Sequence, residues 1–205
     1  VYDREEGMAN DYLATTDVID WQHPEVRAQA AALSQGAEGP IEIARRCFTW
    51  VRDEVRHTLD IQAGPLTCTA SEVLRHRVGF CYAKSHLLAA LLRASGLPAG
   101  LGYQRLAHAS GFCLHGFNAV HLPGLGWYRI DARGNKPGID TAFEPPHERL
   151  AYVATEPGEA TDPAVYAHPL PIVVAKLRAH ADWQSFAADL PDQALSATAM
   201  SPVSS

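Results

Sequence analysis

The chain has 205 residues, enough to bury one substantial core and of the length expected for a single domain with some decoration. Its 47% hydrophobic and 20% charged content is ordinary for a soluble globular protein. A net charge of −6, with no Lys/Arg cluster interleaved with aromatics, argues against a nucleic-acid-binding surface, and no apolar run approaches the roughly 18 residues of a membrane span.

Residues 1–22 carry few helix signals and are expected to wrap the surface, anchored by Tyr12, Leu13, Val18, Ile19 and Trp21. His23-Pro24-Glu25 opens a short helix through about Leu33, with proline in its first turn. Gly36 and Gly39 separate it from a second helix, Pro40 to about His57, whose Ile41, Ala44, Phe48, Val51 and Val55 share one face. Thr69-Ala70-Ser71-Glu72 has the form of a capping box and predicts a short helix to about Arg75, ahead of a Val78-Gly79 turn. The next helix starts almost at Cys81. Its Ala83, Leu87, Leu88, Leu91, Leu92 and Ala94 form a buried apolar face, and Gly96 and Pro98 stop it.

Gly100 to Leu106 reads as a strand, and 114–131 as a β-hairpin around Pro123-Gly124-Leu125-Gly126. The Pro- and Gly-rich stretch 134–159 is expected as a long loop over the site, docked by Ala142-Phe143. A last helix within 169–188 has Val173, Val174, Leu177, Ala181 and Phe186 as its apolar set. The expected domain spans 1–190, with a disordered Ser/Ala-rich tail over 191–205.

Three residues on three of these elements point to chemistry. A thiol at the start of a helix, as at Cys81, faces unpaired backbone N–H groups and the positive end of the dipole, which favour the nucleophilic thiolate. His115 lies early on the first hairpin strand and Asp131 at the end of the second, sixteen residues later. Nucleophile, base and orienter are the parts of thiol acyl transfer. For the last two to meet, the turn would have to centre close to Pro123, tighter than a four-residue loop allows. A bulge or a diagonal contact is therefore required.

Blander readings exist for each. Cys81 could be a packed core thiol, and Asp131 a turn residue. Cys113 and His115, two apart, with Cys81 or Cys68, could hold structural zinc, although the usual paired spacings are missing. His57, His76 and His86 read as surface or partly buried spectators, and His121 as a solvated strand-end residue. Gln62 and Gln104 are able to donate to an oxyanion, and spacing gives no choice between them. Cys47, Cys68, Cys81 and Cys113 contain no C-x-x-C pair and read as reduced thiols. With an opening Val1-Tyr2-Asp3-Arg4-Glu5-Glu6 that is no signal peptide, they set the expectation of a cytoplasmic protein.

The Gly79-Phe80-Cys81 entry into a Leu-rich helix ending Leu92-Arg93-Ala94-Ser95-Gly96-Leu97-Pro98 resembles the cysteine motif of the transglutaminase-like superfamily. His115 followed by Phe117, then Pro-Gly-x-Gly-Trp127 and Asp131, resembles its histidine and aspartate motifs. The resemblance covers roughly residues 40–133. It implies an α+β, papain-like fold with the cysteine at the N-terminus of a buried helix on an antiparallel sheet, and a triad of Cys81, His115 and Asp131. Ala119, where the family often has an acidic residue, and Ala132-Arg133-Gly134-Asn135 after the aspartate depart from the family pattern. They bear on substrate and acceptor more than on the triad. The expected activity is a cysteine-dependent hydrolase, a peptidase or amidase, acting on a peptide or small amide through a thioester. Acyl transfer with the same triad and a non-catalytic binding module are the alternatives. No metal or organic cofactor is implied, nor a nucleic-acid or membrane partner.

Overall fold

The computed structural model describes residues 11–108 and 111–195. Two helices open on prolines, α1 (Pro24–Ser34) and α2 (Pro40–Glu54), where a missing N–H leaves no helical bond unmade. Val26 and Ala30 of α1 and Ala44, Cys47, Phe48 and Val51 of α2 are buried, the three-to-four spacing of a single apolar stripe. The chain before them is pinned as expected, with Val18 and Ile19 buried and the Trp21 indole donating to the Leu13 carbonyl at 3.0 Å.

Helix α2 ends at Glu54, three residues short of the sequence expectation, because Val55 turns extended. The buried Lys84 ammonium then takes the Val55 and Arg52 carbonyls that the helix end leaves free. Arg56–His57 becomes a short strand, β1, followed by the single turn α3 (Thr58–Ile61). The capping box forms: Thr69 Oγ1 accepts from Glu72 N at 3.2 Å while Glu72 Oε2 accepts from Thr69 N at 3.0 Å, opening α4 (Ala70–His76). Val78–Gly79, expected as a turn, is a strand (β2) paired in parallel with β1.

Helix α5 (Cys81–Ala94) is buried along nearly its whole length, between α1, α2 and α4 on one side and the sheet on the other. It closes in a Schellman arrangement, Leu97 N donating to Leu92 O and Gly96 N to Arg93 O at 2.9 Å each, with Gly96 at φ 77°. Arg93 is tolerated inside because its guanidinium donates to the carbonyls of Ala14, Ala99 and Ala167.

The main sheet comprises β3 (Ala99–His108), β4 (Gly111–Leu122), β5 (Gly126–Ile130) and the short β8 (Ala160–Thr161). It is antiparallel in the order β5-β4-β3-β8. Between β5 and β8 the expected long loop contains a small hairpin, β6 (Ala142–Glu144) with β7 (His147–Arg149). Phe143 docks it, its ring tilted on Phe48 at 6.1 Å and edge-on to Tyr128 at 5.3 Å.

The expected last helix is two, α6 (Pro171–Ala179) and α7 (Trp183–Ala187). Asp182 breaks the run by capping α7, accepting from Ser185 N at 2.8 Å, and the bend carries the buried Phe186 onto Phe80 at 4.6 Å. Residues 191–195, expected as part of a tail, lie along the sheet: Leu114 N donates to Pro191 O at 2.8 Å and Arg105 pairs with Asp192 at 2.7 Å. The remainder of that expected tail, 196–205, falls outside the described residues. Among the described residues no helix is long and apolar enough to cross a membrane.

Candidate active site

Cys81 is the first residue of α5, 8% exposed, at one end of the molecule's central helix. Its predecessor Phe80 is extended and caps no N–H with its side chain, so the first turn keeps its donors free of a side-chain acceptor. Strand β4 crosses directly over this helix start. Gly116 makes the crossing possible: a Cβ there would come within 3.2 Å of the Tyr82 ring and 3.4 Å of Tyr82 Cα. Fully buried Tyr82 then locks the two elements together by donating its hydroxyl to the Leu114 carbonyl.

His115, on β4 beside that glycine, is buried and its Nε2–H donates to Asp131 Oδ2 at 2.7 Å. The register explains the contact. Residues 123–125 form the turn and Asn118 faces Ile130, so Asp131, just past the end of β5, comes opposite Phe117. His115 reaches it diagonally. The diagonal alternative thus holds, and no bulge is needed. Asp131 is held by two further donors, accepting from Ala151 N at 2.9 Å and Arg133 N at 3.0 Å.

With Nε2 engaged by Asp131, Nδ1 is the His115 nitrogen left for the Cys81 thiol, which lines the same cleft. Burial by itself would push the imidazole down. The Asp131 carboxylate and the Cys81 sulfur outweigh it and raise His115 to about 10. Burial works to raise Asp131, but the imidazole and the two backbone N–H donors hold the carboxyl below its ordinary value. The other thiols are pushed up by burial, Cys47 to about 12 and Cys68 and Cys113 to about 11.

Cys81 and His115 line one cleft of about 290 Å³ together with His57, Phe80, Tyr82 and Tyr152, and fully buried Asp131 backs His115 from behind it. Several neighbours were not legible. Tyr152 sets its ring edge-on to His115, centroids 4.8 Å apart, and its hydroxyl accepts from Arg133 Nε at 3.2 Å. Nothing in Leu150-Ala151-Tyr152-Val153 announces that role, which the path of the loop creates. Gln104 is the direct cross-strand partner of His115, and its Nε2 donates to the Tyr152 carbonyl at 3.1 Å. It buttresses the covering loop and does not line the cleft; nor does Gln62, which ends α3 at φ 49°. Knowing the β3–β4 register would have found Gln104.

Of the four histidines read as spectators, two need correction and two stand. His57 is buried and lines the cleft, its Nδ1 accepting from Leu59 N at 3.3 Å; burial first, then the Arg133 charge, holds it well below the ordinary imidazole value. His86 is fully buried against the Cys68 carbonyl at 2.7 Å, and burial lowers it to about 4. His86 belongs to the interior because α5 is buried along nearly its whole length, and His57 because it is the inward-facing residue of β1, whose Arg56 is exposed. His76 and His121 are exposed, as expected. Arg133 and Lys136 both pair with Asp60, so neither is an idle cation beside the site. Among the described residues no group of three or more His, Cys, Asp or Glu is arranged to hold a metal ion.

The model of the transglutaminase-like superfamily matches residues 27–132, the stretch that runs from α1 to the residue after Asp131. Among solved structures the chain is similar to a "Putative Cysteine Protease" from Cytophaga hutchinsonii, with TM-score 0.50 and 18% identity over 60% of this chain and 40% of that one. It is also similar to the periplasmic domain of TgpA from Pseudomonas aeruginosa, with TM-score 0.44 and 25% identity over 59% of this chain and 46% of that one. The chain thus spans less than half the length of the structures it matches. No curated protein matches it in sequence. With the match covering more than half of its residues, the chain belongs to the transglutaminase-like superfamily, a family typically of thiol-dependent enzymes, and has its mixed helix and antiparallel-sheet fold.

Proposed function

We propose that the protein is a cysteine-dependent amide hydrolase, a peptidase or amidase, with Cys81 as nucleophile, His115 as base and acid, and Asp131 as orienter. The single observation that carries this is the buried His115–Asp131 hydrogen bond of 2.7 Å, with Cys81 and His115 lining one cleft. A histidine raised to about 10 carries its proton at neutral pH, which suits a thiolate–imidazolium pair.

The thiolate attacks the amide carbonyl, forming the C–S bond. The developing oxyanion is met by the Cys81 backbone N–H at the uncapped start of α5. As the C–N bond breaks, His115 Nδ1–H passes its proton to the departing amine. Water then attacks the thioester with His115 taking one of its protons, releasing the carboxylic acid and restoring the pair. Asp131 keeps the Nε2–H tautomer throughout. A second amine in place of water would give transfer instead, through the same first half.

The test is turnover of a panel of amides by wild type and Cys81→Ala, a change that removes one sulfur at a helix start and leaves the fold intact. The variant is expected to lose at least a thousandfold; activity within about tenfold of wild type would end the thiol mechanism. Product analysis with an added amine separates hydrolysis from transfer. For a binding module, iodoacetamide at neutral pH would label Cys81 no faster than Cys47 or Cys113.

A further inference from the structure

The cleft above Cys81 is walled by Leu59, Leu106, Leu114, Tyr152, Val153 and Leu190. Of the large hydrophobic side chains that stand exposed among the described residues, two are on this rim, Leu59 at 38% and Val153 at 78%. Tyr152, Val153 and Leu190 come from segments beyond the 27–132 match, so part of the wall belongs to this chain's own decoration.

Apart from His108, exposed at the rim, the charged groups on the same wall are engaged by neighbours. Glu159 accepts from the backbone N–H groups of Ala107, Thr155 and Glu156 at 2.8, 2.9 and 3.1 Å. Arg133 grips Asp60 with both terminal nitrogens and gives its Nε to Tyr152. Buried His57 is held in its neutral form, and its Nδ1 is already an acceptor. A charged substrate side chain would lose water here and could reach only groups already engaged or at the rim, whereas an apolar one would cover Leu59 and Val153. The volume, about 290 Å³, is at the small end of ligand pockets, room for one large side chain and its adjoining backbone.

We infer that the cleft selects acyl donors carrying a large uncharged apolar side chain next to the scissile carbonyl, and that Val153 and Leu59 are the residues that set this preference. The inference deepens the thiol acyl-transfer reading and rests on it.

The test needs no known substrate. Cys81 is alkylated with iodoacetamides bearing N-benzyl, N-(2-aminoethyl) or N-carboxymethyl groups, the site is assigned by peptide mass, and each rate is divided by that of glutathione with the same reagent. The N-benzyl reagent is expected to be at least about tenfold faster than either charged one. Val153→Asp and Leu59→Asp, both exposed positions that tolerate a polar side chain, are expected to cut that ratio at least threefold, with the aminoethyl reagent gaining. Equal rates for the three reagents, a charged reagent fastest, or an unchanged ratio in both variants would overturn the inference and leave the triad standing. A Cys81 that all three reagents label no faster than Cys47 would bring down the thiol reading, and the inference with it.

Discussion

At the scale of single residues, the site depends on His115 being both buried and charged. A buried imidazolium needs a paired anion, and the Asp131 carboxylate supplies one at 2.7 Å. Asp131→Asn keeps the size and removes that anion. It should lower kcat by one to several powers of ten with KM changed by less than about threefold, because the carboxylate acts after the substrate is bound. The loss should be smaller than for His115→Ala, since the imidazole can still take and give the proton without the aspartate, whereas nothing replaces the imidazole itself. Steady-state kinetics on the two variants decide the matter. Asp131→Asn at wild-type rate, its fold confirmed by circular dichroism, would reduce Asp131 to a turn residue.

Elements place these residues, and how much the sequence said about them follows from how local each cause is. The helix start at Cys81 and the capping box at Thr69 are set within a few residues, so the pattern of Gly, Ser/Thr and Leu positions is enough to find them. The diagonal His115–Asp131 contact follows once residues 123–125 are known to make the turn, one residue tighter than the Pro-Gly-Leu-Gly string suggests. By contrast, β1 and β2 are two residues each, too short for periodicity to register, and they pair across more than twenty residues of chain. The break between α6 and α7 hid in Asp182, which an apolar set continuing to Phe186 overrode. The approach of β4 to α5 is equally non-local, and only the missing side chain at Gly116 marks it. Gly116→Val should force the strand off the Cys81–Tyr82 start, slowing iodoacetamide labelling of Cys81 at least tenfold while the protein still unfolds cooperatively. Labelling at the wild-type rate would show that the crossing has slack.

On the scale of the whole molecule, Lys84 ties the helical layer to the site. Its ammonium closes the end of α2 through the Arg52 and Val55 carbonyls, while burial, then the Arg133 charge, lowers it to about 7. Between about pH 7 and the ordinary lysine value of 10.5 the unfolded chain binds the proton and the folded one does not, so this residue adds stability as pH rises through that window. His115 works the other way. Raised from 6.5 to about 10, it contributes stability fully below 6.5 and loses it as pH climbs through 10. Urea unfolding of wild type and Lys84→Met at pH 6.5, 8 and 9.5 separates the two, since the His115 contribution is common to both proteins. The stability of Lys84→Met relative to wild type should fall with rising pH, by at most about 1.4 kcal/mol per pH unit. A difference independent of pH would mean that Lys84 keeps its proton inside the fold. No feature of the sequence distinguishes this lysine, on the first turn of a Leu-rich helix, from a solvated one; its burial is decided by α2 and the Arg133 segment closing over it.

The central claim is that Cys81 carries an acyl group during turnover. Intact-mass spectrometry after rapid acid quench, on enzyme mixed with a library of apolar acyl amides and activated esters, tests it most directly. Wild type should gain the mass of one acyl group, mapped to Cys81 and lost on incubation at neutral pH, while Cys81→Ala gains none. Turnover with no adduct under any quench, or the same adduct on Cys81→Ala, would contradict the account.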